Sequence, residues 1–221
     1  MNVSDALRKR RSTRAFLKTP VASEKLHAIF DAARWSPSGV NMQPWKVYAL
    51  SGDAKNALAN DLLEAFQSGQ KGEMDYQYYP LQWKPEFKAR QMQLGQEMFS
   101  LLGIDRGDKE KRLQQWGRNY LGFDAPTILI FTIDASLEKG SYLDYGMFLQ
   151  SIMLMAEEVG LATCPQAAMV EYPNILKQHL NTQDDERFIC GISIGYPDKN
   201  HIVNRLHPQR ESVESFVTFL E

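Results

Sequence analysis

The residues best suited to chemistry begin with a basic segment near the N-terminus, Arg10-Arg11-Ser12-Thr13-Arg14. Arginine presents a planar fork of N–H donors that matches the oxygens of a phosphate group, and hydroxyl groups add smaller donors beside it. A solvated basic turn is the alternative, and the motif taken alone favours it. The segment by itself therefore leaves both a phosphate contact and a surface turn open.

A second segment rich in hydrogen-bonding groups runs from Pro37 to Trp45 and reads PSGVNMQPW. Prolines bracket it, so the sequence predicts neither a helix nor a regular strand there. Ser38, Asn41 and Gln43 supply donors and acceptors that could simply tie a structural turn. The segment also leads directly into a predicted strand over residues 46–50, and loops at strand ends are common places for sites.

A third motif, Gly191-Ile192-Ser193-Ile194-Gly195, matches the GxSxG nucleophile elbow of serine hydrolases. That elbow needs a strand, a sharp turn at the serine and then a helix. Here Ser193 lies inside an uninterrupted strand pattern, and Tyr196-Pro197 follows instead of a helix. We interpret the motif as a strand whose small residues allow close packing, with a serine hydrolase as the lesser alternative.

Other recognisable sites are absent from the sequence. It contains no GxGxxG or GxxxxGK[ST] motif, which excludes the usual Rossmann and P-loop fingerprints. The four histidines are scattered, and no Cys/His pair has zinc spacing. Cys164 and Cys190 lie in apolar segments, which indicates buried thiols rather than a secreted disulfide framework.

The composition is that of an ordinary soluble globular protein, with 43% hydrophobic and 24% charged residues in 221. The net charge of -2 creates no field that favours nucleic acid or an anionic membrane. The N-terminus lacks the apolar core of a signal peptide, and polar residues interrupt the longest apolar run. We therefore expect a cytoplasmic protein with no nucleic-acid or membrane partner.

A helix predicted over residues 143–159 organises the chain that must position these groups. Its apolar residues point in nearly every direction, so we expect burial almost all round, with a second subunit covering part of it. Gly160 ends the helix. The segment that follows, residues 161–165, would then lie deep in the molecule and line a site.

The remaining patterns predict a single α+β domain over residues 1–221. Helical spacing predicts helices over residues 3–9, 23–34, 53–67, 87–102, 109–119 and 172–180. Apolar and β-branched runs predict strands over residues 46–50, 127–133 and 188–196. A helical excursion covers about 68–120, and the tail over 213–220 is either a strand or a short helix. The excursion begins with an aromatic loop over residues 76–83.

Taken in order along the chain, these pieces resemble the flavin-dependent nitroreductase family. The matching segments are Arg10–Arg14, Pro37–Trp45, Asn119–Pro126, Asp144–Gly146, Gly160–Leu161, Cys164–Gln166, Gly195–Pro197 and Arg210. The resemblance implies a nitroreductase-like α+β fold with a central mixed sheet flanked by helices. It also implies an intertwined FMN-binding homodimer whose C-terminal segment reaches the partner.

The resemblance assigns cofactor-binding roles to individual residues. Those assigned to the FMN phosphate are Arg10, Arg11, Ser12 and Arg210. Those assigned to the flavin ring are Arg14 at the N1/O2 edge, Asn119 at the pyrimidine edge, and a backbone amide of Gln166, Ala167 or Ala168 at N5. Pro165 is the last cofactor-binding residue assigned to the same subunit. The other subunit would contribute Pro37, Ser38, Asn41 and Gln43. Where the family often has a lysine after the asparagine, this chain has Leu121 and Gly122.

The implied reaction is ping-pong. NAD(P)H reduces the flavin at N5 and leaves, and a nitroaromatic or a quinone then takes its place, with no catalytic side chain required. A relative with other flavin chemistry, such as dehalogenation or flavin breakdown, stays open, as does a flavin-binding protein without turnover. The choice between NADH and NADPH is also open, as is whether the aromatic loop over 76–83 covers the substrate.

Overall fold

Four strands form one sheet in the order β1-β2-β4-β3, and seven α-helices surround it in the computed structural model, which describes all 221 residues. The strands are β1 Lys46–Ser51, β2 Thr127–Asp134, β3 Ala162–Gln166 and β4 Glu186–Gly195. The helices are α1 Val3–Lys9, α2 Ser23–Ala33, α3 Gly52–Gln67, α4 Pro85–Leu101, α5 Lys109–Gly117, α6 Lys139–Glu158 and α7 Pro173–Leu180. None of these helices combines the length and the apolar character that crossing a lipid bilayer requires.

The sheet is antiparallel through all four strands, because β2 pairs with β1 and β4, and β4 pairs with β3. The expected mixed pairing is present only as one parallel bridge, between Ser12 and Thr163 at the outer edge of β3. Strand β3 was not among the strands predicted from the sequence, because it contains Pro165. Proline cannot donate to a neighbouring strand, and an edge position tolerates this loss.

The two faces of the sheet are covered by different helices, because alternate residues of a strand point to opposite sides. Leu129 and Phe131 of β2 belong to a core cluster with residues of α2 and α6. Ile128 and Ile130 belong to the opposite cluster with residues of α3 and α7. The apolar runs predicted as central strands are therefore buried on both faces.

Helix α6 begins four residues before its predicted start and is not buried all round within one chain. Its inner side packs against the sheet through Tyr145, Phe148 and Ile152. On the outer side, Leu143 is 74% exposed and Met147 is 41% exposed. No other segment of this chain covers that face, which is therefore the part of the helix that the sequence assigns to a second subunit.

The tail and the excursion differ in how they contact the rest of the chain. In the tail, a short 3₁₀ turn covers Val213–Ser215, and Phe216 and Phe219 beyond it are exposed. In the excursion, the Asp75 carboxylate accepts the Phe188 N–H at 2.8 Å, and the Tyr76 hydroxyl donates to the Ile189 carbonyl at 2.7 Å. Both hydrogen bonds are made to the first half of β4, which does not pair with β3.

A buried carboxylate, Glu186, ties β4 to the rest of the sheet. It accepts hydrogen bonds from Lys46 Nζ, Tyr48 Oη, Thr132 Oγ1 and the Gln183 backbone N–H. Burial alone would raise the pKa of Glu186, but these hydrogen bonds outweigh it and lower the pKa to about 2. The ionised form therefore stabilises the folded chain.

Replacing Glu186 with glutamine should lower the free energy of unfolding by about 3 kcal/mol at neutral pH. An unfolded glutamate titrates near pH ~4.3, so the contribution is complete above that pH and is lost as pH falls toward about 2. Denaturant unfolding at neutral pH, about pH 5 and about pH 3 measures this, with exposed Glu64→Gln as the control. If the difference in free energy of unfolding between wild type and Glu186→Gln already decreases between neutral pH and about pH 5, a group other than Glu186 is responsible for the pH dependence.

Candidate functional site

The basic segment is held in an extended form along the outer edge of β3. The Thr13 N–H donates to the Thr163 carbonyl at 2.9 Å. On the far side, the Asn204 side chain accepts the Arg14 N–H at 2.8 Å and donates to the Ala15 carbonyl at 2.8 Å. The backbone of the segment is thus fixed by two parts of the chain that are distant in sequence. Asn204 was not predicted to have this role, because no local pattern in the sequence indicates its partners.

Three side chains of this segment gather around the thiol of Cys164. Burial raises the pKa of that thiol to about 11, while Arg14, Ser12 and Arg10 act in the opposite direction. The Arg14 guanidinium is oriented by the Ser12 carbonyl at 3.2 Å, and that of Arg10 contacts the Met153 sulfur at 3.8 Å. The thiol is a buried, inert group, as the sequence predicted, and the cluster around it is cationic.

The positive charge of Arg210, from the other end of the chain, acts on Arg10. The Arg210 guanidinium itself donates to the Pro208 carbonyl at 3.0 Å and lines a cavity of its own. Burial lowers the pKa of Arg10, and the nearby positive charge of Arg210 lowers it further. Glu157 acts in the opposite direction, but its carboxylate is already paired with Lys9 at 3.1 Å. Two guanidinium groups that repel each other favour an anion between them.

Arg11 does not join this cluster. Side chains of an extended segment alternate between two sides, so Arg11 points away from Arg10 and Ser12. It donates to the Asn204 carbonyl at 3.3 Å and lines a separate cavity of about 740 Å³. In the single chain, the Arg11 guanidinium therefore lies apart from that of Arg10.

Gln166 connects β3 to the neighbouring segment that carries Asn119. Its amide group donates to the Asn119 carbonyl at 2.8 Å and to the Asn119 side-chain oxygen at 3.3 Å. Pro165 is exposed at the edge of β3, and Ala167 and Ala168 are half-buried just beyond its end. These residues form a continuous surface beside the basic segment.

Ser193 is not a nucleophile. It is fully buried within β4, and its hydroxyl donates to the side chain of Gln166 at 2.5 Å. The two glycines of the motif have a packing role: a Cβ at Gly191 would lie 2.8 Å from that of Met169, and one at Gly195 would lie 2.6 Å from Pro126 Cδ. The structure supports the strand interpretation and excludes the hydrolase.

The loop over residues 37–45 is tightly held yet exposes its polar tips. Asn41 and Gln43 have positive φ angles of 59° and 50°, which non-glycine residues rarely adopt. The Ser38 hydroxyl accepts the Gln43 N–H at 2.9 Å, and Asp144 of α6 accepts the Gly39 N–H at 3.2 Å. Pro37, near the start of the loop, is exposed together with the side chains of Asn41 and Gln43. Constrained backbone of this kind is found at ligand sites.

Within one chain, the loop and the arginine cluster lie on opposite sides of α6. The loop contacts the helix at Asp144, and Arg10 contacts it at Met153. At 1.5 Å and 100° per residue, these positions are about 14 Å apart along the axis and about 180° apart around it. The structure therefore does not bring the two predicted halves of the site together in a single chain.

Comparison with known sequences gives relatives over nearly the whole chain. The profile of the Nitroreductase family matches residues 7–196. A 4-nitrobenzoate reductase of Pseudomonas putida is 38% identical over 211 residues, which cover 96% of this chain and 92% of that protein. A chloronitrobenzene nitroreductase of Comamonas testosteroni is 35% identical over 219 residues, which cover 99% and 96%.

Solved structures give the same result for the fold. An FMN and NADPH-dependent nitroreductase, NfnB from Sphigopyxis sp. strain HMH, superposes with a TM-score of 0.96 at 33% identity and covers 100% of both chains. The FMN-dependent NfnB from Mycobacterium smegmatis, solved in complex with NADPH, gives a TM-score of 0.94 at 27% identity. That comparison covers 99% of this chain and 97% of the other.

Proposed function

The chain belongs to the nitroreductase family, and we propose that it is an FMN-dependent oxidoreductase that uses NAD(P)H to reduce nitroaromatic compounds or quinones. The observation that carries the proposal is the cationic group formed by Arg10 and Arg14 beside Cys164 at the edge of β3, where Ser12 bridges to Thr163. The positive charge of Arg210 adds to it at Arg10. When bound, FMN supplies the redox chemistry, accepting two electrons from NAD(P)H and passing them to the oxidant. This chain supplies binding, orientation and charge.

The residues present fit the phosphate end of FMN. Arg10 and Arg210 offer charged N–H donors, and the Ser12 hydroxyl offers a further donor. Their mutual repulsion is relieved when a phosphate lies between them. Arg14 would place positive charge at one edge of the flavin ring, with Asn119 and the backbone after Pro165 at other positions around it. Arg11 takes no part through its side chain.

We propose further that the complete site requires a homodimer. The separation of the two halves by α6 supports this, because the loop of residues 37–45 can meet the arginine cluster only if it comes from a second chain. The exposed Leu143 and Met147 on the outer side of α6 offer apolar surface for such a contact, and the uncovered tail offers more. Pro37, Ser38, Asn41 and Gln43 would then complete the site of the partner.

The proposal also covers the domain organisation and the location of the protein. The single FMN-binding domain over residues 1–221 is supported by one sheet with a core cluster on each face. The cytoplasmic location is supported by two free, buried cysteines. Other flavin chemistry remains an alternative, and turnover with a nitroaromatic separates it from the proposal.

We expect the purified protein to be yellow from bound FMN. It should oxidise NAD(P)H in the presence of a nitroaromatic such as 4-nitrobenzoate. Because one pocket serves both substrates in turn, double-reciprocal plots at several fixed oxidant concentrations should give parallel lines. Steady-state rates measured anaerobically test this, with heat-denatured protein plus free FMN as the control. Converging lines would show that both substrates bind together, and a colourless protein that takes up no FMN would refute the function itself.

A further inference from the structure

A cavity of about 620 Å³ lies at the start of α3, and none of the residues assigned to FMN lines it. Ser51 is the N-cap of this helix, but its side chain makes no capping hydrogen bond. Gly52 follows with a φ of 57°, and the space where its Cβ would lie is open. The first N–H groups of a helix have no partner within the helix and carry the positive end of its dipole. The cavity therefore opens onto a helix start that the N-cap side chain leaves unsatisfied.

Lys55 gives an independent indication of a ligand. Its side chain is only 8% exposed and lines the same cavity, and it takes part in none of the hydrogen bonds or ion pairs of the structure. Side chains of a helix lean toward its N-terminus, so the ammonium group lies near the helix start. Burial lowers the pKa of Lys55, and the charge of Asp124 offsets only part of this effect. The ammonium group of this largely buried residue has no hydrogen-bond partner in the protein, and an anion in the cavity would supply one.

The other charged residues that line the cavity also favour an anion. Lys18 provides a second, exposed ammonium group. The carboxylate in the wall is that of Asp124, which is paired with Arg118 at 3.0 Å. Asp53 lies in the first turn of α3 but outside the wall. Two ammonium groups thus face the cavity against one carboxylate that already has a partner.

We propose that this cavity binds a phosphate group, held between the N–H groups at the start of α3 and the ammonium groups of Lys55 and Lys18. The hydroxyls of Ser51 and Thr127 and the amide of Asn56, also in the wall, offer further donors. The volume accommodates free phosphate and also the phosphate of a mononucleotide. This site is separate from the FMN phosphate site.

Titration of the FMN-saturated protein with inorganic phosphate tests the proposal. Calorimetry should show saturable binding, while the flavin absorbance stays unchanged because FMN is not displaced. Lys55→Met should weaken this binding roughly tenfold or more, since it removes a charged hydrogen bond. Lys109→Met is the matched control: Lys109 is also in the first turn of a helix, but there Asp108 caps the start by accepting the Lys111 N–H at 3.0 Å. This control should bind phosphate like wild type.

The affinity for adenosine monophosphate and the unfolding temperature of Lys55→Met are measured as well. Adenosine monophosphate that binds more tightly than phosphate, with the same dependence on Lys55, identifies a nucleotide as the source of the phosphate group; equal or weaker binding identifies free phosphate. Without added anion, Lys55→Met should unfold at the same temperature as wild type or a higher one, because the Lys55 ammonium group makes no hydrogen bond or ion pair within the protein and the methionine keeps the apolar part of the side chain. No saturable binding, binding unchanged by Lys55→Met, or a lower unfolding temperature for Lys55→Met would each overturn the proposal.

Discussion

Replacing Arg10 or Arg210 with alanine is expected to weaken FMN binding roughly tenfold to a hundredfold, because a hydrogen bond to a charged group contributes about 1.5–3 kcal/mol. The two residues lie at opposite ends of the sequence, yet their charges interact in the folded chain. Since both would bind one phosphate, the double variant should depart from simple additivity. Quenching of flavin fluorescence during titration measures the affinities, and turnover should return when FMN is added in excess.

Arg11→Ala provides the matched control for this experiment. Arg11 follows Arg10 directly in sequence, but it faces a separate cavity and contacts the Asn204 carbonyl. Its replacement should leave the affinity for FMN close to that of wild type. An Arg210→Ala variant that binds FMN like wild type would show that the phosphate lies elsewhere. An Arg11→Ala variant as weak as Arg10→Ala would show that the segment is not oriented as in the structure.

The elements of the fold were largely predictable from the sequence, because their signals are local. The β-branched run at Thr127 predicted β2, and helical spacing predicted α3 and α5 to within about two residues. Strand β3 was not predictable, because Pro165 argues against a strand and only the edge position allows it. The apolar pattern of α6 predicted burial almost all round, but only the structure shows which face of the helix this chain leaves uncovered.

The candidate site could be proposed from the sequence only through the ordered resemblance to a family. Nothing in the spacing of Arg10 and Arg210 brings them together, and nothing local marks Asn204 as the residue that holds the basic segment. The different directions of the Arg10 and Arg11 side chains also become clear only once Ser12 is seen to pair with Thr163. Tertiary contacts of this kind leave no periodic signal in a sequence.

The second large effect concerns the sharing of one site between two chains. A variant with Arg10→Ala and Arg210→Ala damages the arginine cluster, and one with Asn41→Ala and Gln43→Ala damages the loop. Each homodimer should bind FMN poorly and turn over little. In a mixed dimer of the two variants, the intact cluster of one chain meets the intact loop of the other, so one of the two sites is complete. Its second site combines both damaged halves.

The measurement that tests this account most directly is therefore the FMN content and nitroaromatic turnover of that mixed dimer, purified through two different affinity tags. The account predicts recovery to about half of the wild-type values, as expected for one complete site in a two-fold dimer. The reciprocal control pairs a chain carrying all four changes with a wild-type chain, and it should stay near the level of the damaged homodimers. A mixed dimer that does not recover, together with a control that does, would show that each site is built from a single chain.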